Sequence, residues 1–210
     1  YYVYLNGKEV GYSEDTYSPH SFDITDYLTP DGKNNLLAVK VHKFCDGTWM
    51  EDQDMYYDGG IFRDVYLYTT PMVHINDYFV QTELTNNYTD AELTLDVELS
   101  NCSTKDLSDY AVDVRLFDAD KELFLEDFNL DFASIKAAAA DGKKTSEKVT
   151  KKKIVESPKL WSSENPNLYT MVLTLYNKKT GAYIESVSQQ LGFRQIEFTR
   201  TTVNSNGVRQ

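Results

Sequence analysis

The sequence predicts an all-β, mostly antiparallel protein, and three observations carry that prediction. Apolar residues recur with period two: Leu93, Leu95, Val97 and Leu99 alternate with Thr94, Asp96 and Glu98, the pattern of a strand with one buried and one wet face. Turn signals (Asn6-Gly7, Pro30-Asp31-Gly32, Thr180-Gly181) break such runs at intervals near the ~8 to 12 residues of a sandwich. Sixteen Tyr, ten Phe and two Trp accompany only two Cys, so the chain must hold together by burying rings rather than by disulfides.

Taken in order, Tyr2–Leu5 reads as a strand closed by Asn6-Gly7, and Leu37, Val39 and Val41 mark another. The run FRDVYLYTT ends at Pro71, where a chain leaves one sheet system for the next. Residues 1–70 and 71–199 therefore read as two domains, with 200–210 a lead-in to something further. The first holds roughly four or five strands and begins abruptly, so it calls for preceding strands or a partner at its open edge. The second holds roughly seven strand-like runs, the count of an immunoglobulin-like sandwich; Val112, Val114 and Leu116 form one, and Tyr169, Met171, Leu173 and Leu175 another. The stretch from Phe132 to Ala140 and on through DGKKTSEK has helix-forming alanines but no apolar stripe, and reads as a long solvated loop. Lys151-Lys152-Lys153 reads as the charged edge of a strand. Both ends read as interior to a longer protein.

Composition narrows function. The net charge is −12, a field that repels nucleic-acid backbones and anionic lipid surfaces. No apolar run approaches the ~18 to 20 residues of a membrane span, and YYVYLNGKEV lacks the basic and apolar regions of a signal peptide. A soluble protein of cytoplasm or periplasm is expected, without nucleic-acid or membrane partners. Cys45 and Cys102 sit in no zinc-ligand spacing. His20, His42 and His74 have no Ser or Cys partner in a catalytic motif and read as structural or surface residues.

The dense polar cluster is EDQDMYYDGG, where Glu51, Asp52, Asp54 and Asp58 stand beside Trp49, Tyr56 and Tyr57. Aromatic faces pack on the C–H side of sugars while carboxylates accept hydroxyl bonds, so the composition suits a carbohydrate pocket. From composition alone a solvated loop with capping aspartates is the commoner case. An EF-hand is excluded, because Tyr56 and Tyr57 stand where ligands and glycine are required. No carboxylate pair stands out as an acid/base set for glycoside hydrolysis.

Several segments carry a specific likeness. VYLNGKEVGYSED, FDITDYL, NNLLAVKV, DGTWMEDQDM and GGIFRDVYL resemble the end of the sugar-binding jelly-roll domain of glycoside hydrolase family 2, in particular its β-galactosidases. SPKLWSSENPNLYTMVLTLY and LGFRQIEF are similar to the closing strands of that family's first immunoglobulin-like domain, and VNSNGVRQ has the place of its turn into the catalytic (β/α)₈ barrel. The resemblance implies an all-β chain of partial jelly roll plus immunoglobulin-like sandwich, belonging to a retaining β-galactosidase whose catalytic glutamates and magnesium ligands lie in the barrel. The chain alone is then inactive and cofactor-free. Asp54 would reach the galactose subsite and touch a sodium ion; Glu51, Asp52 and Tyr56 would support its loop. Partners would be the β-galactoside, the barrel and further copies of the parent. A stand-alone carbohydrate-binding module, or a β-glucuronidase or β-mannosidase of the same family, stays open. Tyr56-Tyr57, where many β-galactosidases carry Trp-Arg, departs from the pattern. Gly60, Arg63, Trp161 and Arg194 are expected to carry structure, with Arg63 bound by a carboxylate and Trp161 and Arg194 acting as packing anchors.

Overall fold

The computed structural model describes residues 1–14, 18–50, 59–123, 125, 127–139 and 143–198. Tyr1–Tyr68 and Thr69–Gln210 form two compact units.

In the first unit, strands β1 (Tyr2–Leu5), β2 (Lys8–Tyr12) and β3 (Leu37–Lys40) make an antiparallel sheet in the order β2-β1-β3. The β1–β2 turn needs two left-handed residues, and Asn6 (φ 53°) with Gly7 (φ 79°) supplies them, the residue pair a tight hairpin prefers. Asn6 also staples a distant loop. Its amide donates to the Tyr27 carbonyl at 2.9 Å and to Asn35 Oδ1 at 2.8 Å, and its Oδ1 accepts from the Leu36 backbone at 2.9 Å. Val3 and Leu5 point to the buried face of β1. Gly11, opposite Val3, leaves room for Phe22: a Cβ there would lie 2.4 Å from the ring.

Two expectations for this unit need correction. Three strands, not four or five, are present among the described residues, and Phe62–Tyr68 pairs with none of them. Ile61, Phe62, Val65, Tyr66, Leu67 and Tyr68 are all exposed, Leu67 by 78%. A strand needs a hydrogen-bonding neighbour as well as apolar side chains, and apolarity was all the sequence displayed here.

The second unit is a two-layer sandwich. One layer is β4 (Val73–Thr85), β5 (Asp90–Asn101) and β9 (Thr145–Val155), in the order β4-β5-β9. The other is β11 (Tyr183–Leu191), β10 (Tyr169–Asn177), β6 (Leu107–Asp118) and β7 (Lys121–Leu123), with β8 (Asn129–Ile135) also paired to β6. Chain order crosses between layers after β5 and again on either side of β9, which is the Greek-key arrangement of immunoglobulin-like domains. Leu93, Leu95, Val97 and Leu99 from one layer meet Val112, Leu116, Leu130, Phe132, Met171, Leu173 and Leu175 from the other. Each of these is essentially fully buried, a burial that stabilises by about 1.5 to 3 kcal/mol per large side chain.

The alanine-rich stretch is shorter than a long loop. Phe132–Ile135 belongs to β8 and Thr145–Lys148 to β9, because Phe132 and Ile135 have core places that alternation within so short a run did not reveal. The lysine run does lie on an edge strand. Lys152 pairs with Glu92 at 2.5 Å, while Lys151 turns toward the other layer and donates to the carbonyls of Asp127 and Asn129 at 2.5 and 2.8 Å.

Candidate functional site

Glu51, Asp52, Asp54 and Tyr56, with Tyr57 and Asp58, lie outside the described residues. The residues on either side are defined. Cys45 begins a single-turn 3₁₀ helix over Asp46–Trp49, held by a reciprocal cap in which the Cys45 amide donates to Thr48 Oγ1 at 3.0 Å. Met50 follows, exposed. On the far side, Gly59 lies against the Lys43 stem, where a Cβ would make ordinary contact at 3.6 Å. Gly60 takes φ 115°, a conformation that any larger side chain would strain.

Beside this 3₁₀ turn the fold gathers three potential ligands. A Glu14 carboxylate oxygen, the Cys45 thiol and an Asp46 carboxylate oxygen all lie within 4.8 Å of one another. The carboxylates suit a hard cation such as magnesium, and the thiol does not. Asp46 also accepts from the Gly47 amide at 2.9 Å. The sequence pattern missed this group because Glu14 and Asp46 are remote along the chain; the signal available was that they fall in two of the family-like segments, GYSED and DGTWM.

The structural residues behave mostly as expected. Arg194 stacks over the Trp161 ring at 4.8 Å from its centroid. Arg63, by contrast, lies over Phe62 at 5.7 Å and has no carboxylate partner shown among the described residues, since Asp64 beside it accepts from Tyr66 Oη at 2.9 Å instead. His20 sits edge-on to Tyr1, His42 edge-on to Tyr2, and buried His74 bonds the Pro71 carbonyl at 3.0 Å. Both cysteines are free. No helix among the described residues is long and apolar enough to cross a membrane. One groove in the second unit, about 350 Å³, is polar and open, lined by Gln81, Thr82, Glu83, Glu92, Thr94 and Lys152 on the outer face of β4-β5-β9. It contains none of the residues predicted to bind sugar.

Both units are all-β, as the likeness to glycosidase accessory domains implied. Residues 1–71 match the family described as glycosyl hydrolases family 2, sugar binding domain, and residues 73–194 match glycosyl hydrolases family 2. The chain belongs to that family. It is 41% identical over its whole length to a β-galactosidase of Priestia megaterium, and 41% identical over 94% of its length to one of Clostridium acetobutylicum. It spans about a fifth of those proteins, 19% and 20% of their lengths. Among solved structures, a Bacteroides uniformis β-glucuronidase superimposes with TM-score 0.79 at 26% identity, over 94% of this chain and 23% of that one.

Proposed function

We propose that this chain is the non-catalytic part of a family 2 β-galactosidase that hydrolyses terminal β-D-galactosides with retention. The observation that carries the reading is the 41% identity to a β-galactosidase along the entire chain, confined to 19% of that enzyme's length. The bond-breaking glutamates and magnesium ligands then belong to a barrel elsewhere in the parent, which is a homo-oligomer in this reading.

This part contributes position. Asp54 accepts hydroxyl bonds from the galactose ring and holds it for attack, which lowers the barrier by fixing orientation in advance. It also touches a sodium ion, whose charge helps to place the sugar. Glu51, Asp52 and Tyr56 brace the loop.

The test is made on the full-length parent. Asp54→Ala is expected to reduce kcat/KM for a nitrophenyl β-galactoside by roughly a hundredfold or more, and the isolated chain to give no turnover. Unchanged kinetics in the variant would remove Asp54 from the site. A second reading, a β-glucuronidase, is favoured by the structural match to that enzyme class; faster hydrolysis of the nitrophenyl glucuronide than of the galactoside would establish it.

A further inference from the structure

The turn joining β4 to β5 is closed by the Thr89 amide donating to the Asn86 carbonyl at 3.3 Å, a tight hairpin turn whose two central residues must be left-handed. Asn86, Asn87 and Tyr88 are successive left-handed residues, with φ of 50°, 54° and 66°. Asparagine tolerates that region, whereas an aromatic residue there bears a conformational cost that this turn imposes. The turn is fixed at its base by Asp90, which accepts from the Asn86 amide at 2.5 Å and from the Ser157 backbone at 3.0 Å. Those two bonds hold the Asp90 carboxyl below its usual range.

The Tyr88 side chain is spent on a distant segment. Its hydroxyl donates to Glu197 Oε1 at 3.0 Å, and the contact with that carboxylate raises the phenol pKa. Glu197 Oε1 also accepts from Gln195 Nε2 at 2.5 Å, and Gln195 Oε1 accepts from the Leu84 backbone at 3.0 Å. A closed circuit thus runs from the end of β4 through Gln195 and Glu197 to the turn and back. The segment it holds has inverted polarity for a strand. Gln195 and Glu197 are tied to the sandwich, whereas Ile196 and Phe198 are exposed, Phe198 by 97%. Apolar burial therefore does not keep residues 195–198 in place, and beyond the Arg194–Trp161 stack the polar circuit ties them to the sandwich.

We infer that the β4–β5 turn is a strap: it presents Tyr88, in the left-handed conformation the turn imposes, so that with Gln195 it fixes the path of residues 194–198 as the chain leaves the sandwich. The strap sets the direction of the following chain whatever sugar the parent accepts.

Arg194 offers a direct probe, since trypsin cleaves after it once the segment lifts. Cleavage after Lys179, in the β10–β11 turn, serves as the internal reference. In the full 210-residue chain under native conditions, Tyr88→Phe removes the bond but keeps the strain. It is expected to speed cleavage after Arg194 relative to Lys179 about fivefold, the shift that loss of one ordinary hydrogen bond produces. Tyr88→Gly removes both the bond and the strain, so it should open the segment equally while melting at a higher temperature than Tyr88→Phe. A cleavage ratio unchanged in both variants, or both sites accelerating together, overturns the strap. A Tyr88→Gly chain no more stable than Tyr88→Phe overturns the role of strain.

Discussion

Gly192 lies so close to the Trp161 indole that a Cβ on it would stand 3.1 Å from the Trp161 Cβ and 3.2 Å from its Cγ. The same two segments are joined by a parallel bridge between Leu160 and Phe193 and by a bond from the Trp161 amide to the Phe193 carbonyl at 2.9 Å. Phe193 is buried edge-on to Tyr169, with centroids 5.2 Å apart. The motifs containing Trp161 and Gly192 are therefore two halves of one contact. Gly192→Ala is expected to cost about 1 to 3 kcal/mol through overpacking, and the cost should be smaller in a Trp161→Ala background, which lacks the Cγ and Cδ1 met at 3.2 and 3.3 Å. Denaturant unfolding of the two single variants and the double variant measures the coupling; additive losses would show that the crowding is relieved elsewhere.

Two neighbouring buried polar residues should respond in opposite senses. Asn101 is fully buried, and its amide donates to the carbonyls of Lys105 at 2.9 Å and Lys136 at 2.8 Å while its Oδ1 accepts from the Ser103 backbone at 2.8 Å. Asn101→Leu orphans these groups and is expected to destabilise by about 2 to 4 kcal/mol. Ser100 is equally buried, but its hydroxyl has no partner among the described residues. Ser100→Ala is expected to be neutral or stabilising by up to about 1 kcal/mol. Thermal unfolding distinguishes the two, and a loss at both positions would mean that the Ser100 hydroxyl is satisfied.

Lys151 closes the side of the sandwich from an edge strand. Lys151→Met keeps the stem but leaves the Asp127 and Asn129 carbonyls to solvent and removes an edge charge. The expected result is a modest stability loss of about 1 kcal/mol together with faster concentration-dependent aggregation, because a charge pointing inward from an edge blocks strand addition. Light scattering at matched stability would expose an aggregation rate that does not change.

Acid sensitivity has a defined source on the outer face of β4-β5-β9. Asp96 is held below the usual carboxylate range by Lys148 first, at 2.6 Å, and then by Thr150 Oγ1, also at 2.6 Å. A carboxyl whose folded value is depressed contributes stability above its unfolded value and loses it as pH falls through the folded one. The contribution is therefore complete at neutral pH and fades below about pH 4. Asp96→Asn should flatten that part of the stability–pH curve without altering its shape above pH 6, as followed by urea midpoints across the range.

The legible part of the fold was the local part. Leu93 to Leu99, Val112 to Leu116 and Tyr169 to Leu175 were readable as strands because alternation belongs to a single run of chain and survives whatever it pairs with. Asn6-Gly7 was readable because its turn needs left-handed residues within two positions. Phe132 and Ile135 were hidden, since too few of their neighbours repeat the pattern. The sugar-binding reading of Asp54 rested on likeness to family segments, as composition alone favoured a solvated loop.

The amino-acid order by itself determined the class: all-β, divided near residue 70, with the segments of a family 2 glycosidase. Pairing was decided only in three dimensions. Lys151 and Lys152 are adjacent and chemically identical, yet one bonds backbone carbonyls across the sandwich and the other the Glu92 carboxylate on its own sheet. Glu14 meets Asp46, and Tyr88 meets Glu197 across 109 residues. Period and turn chemistry act over a few residues, whereas register and layer packing bring distant residues together, and no short stretch of sequence encodes which partner stands opposite.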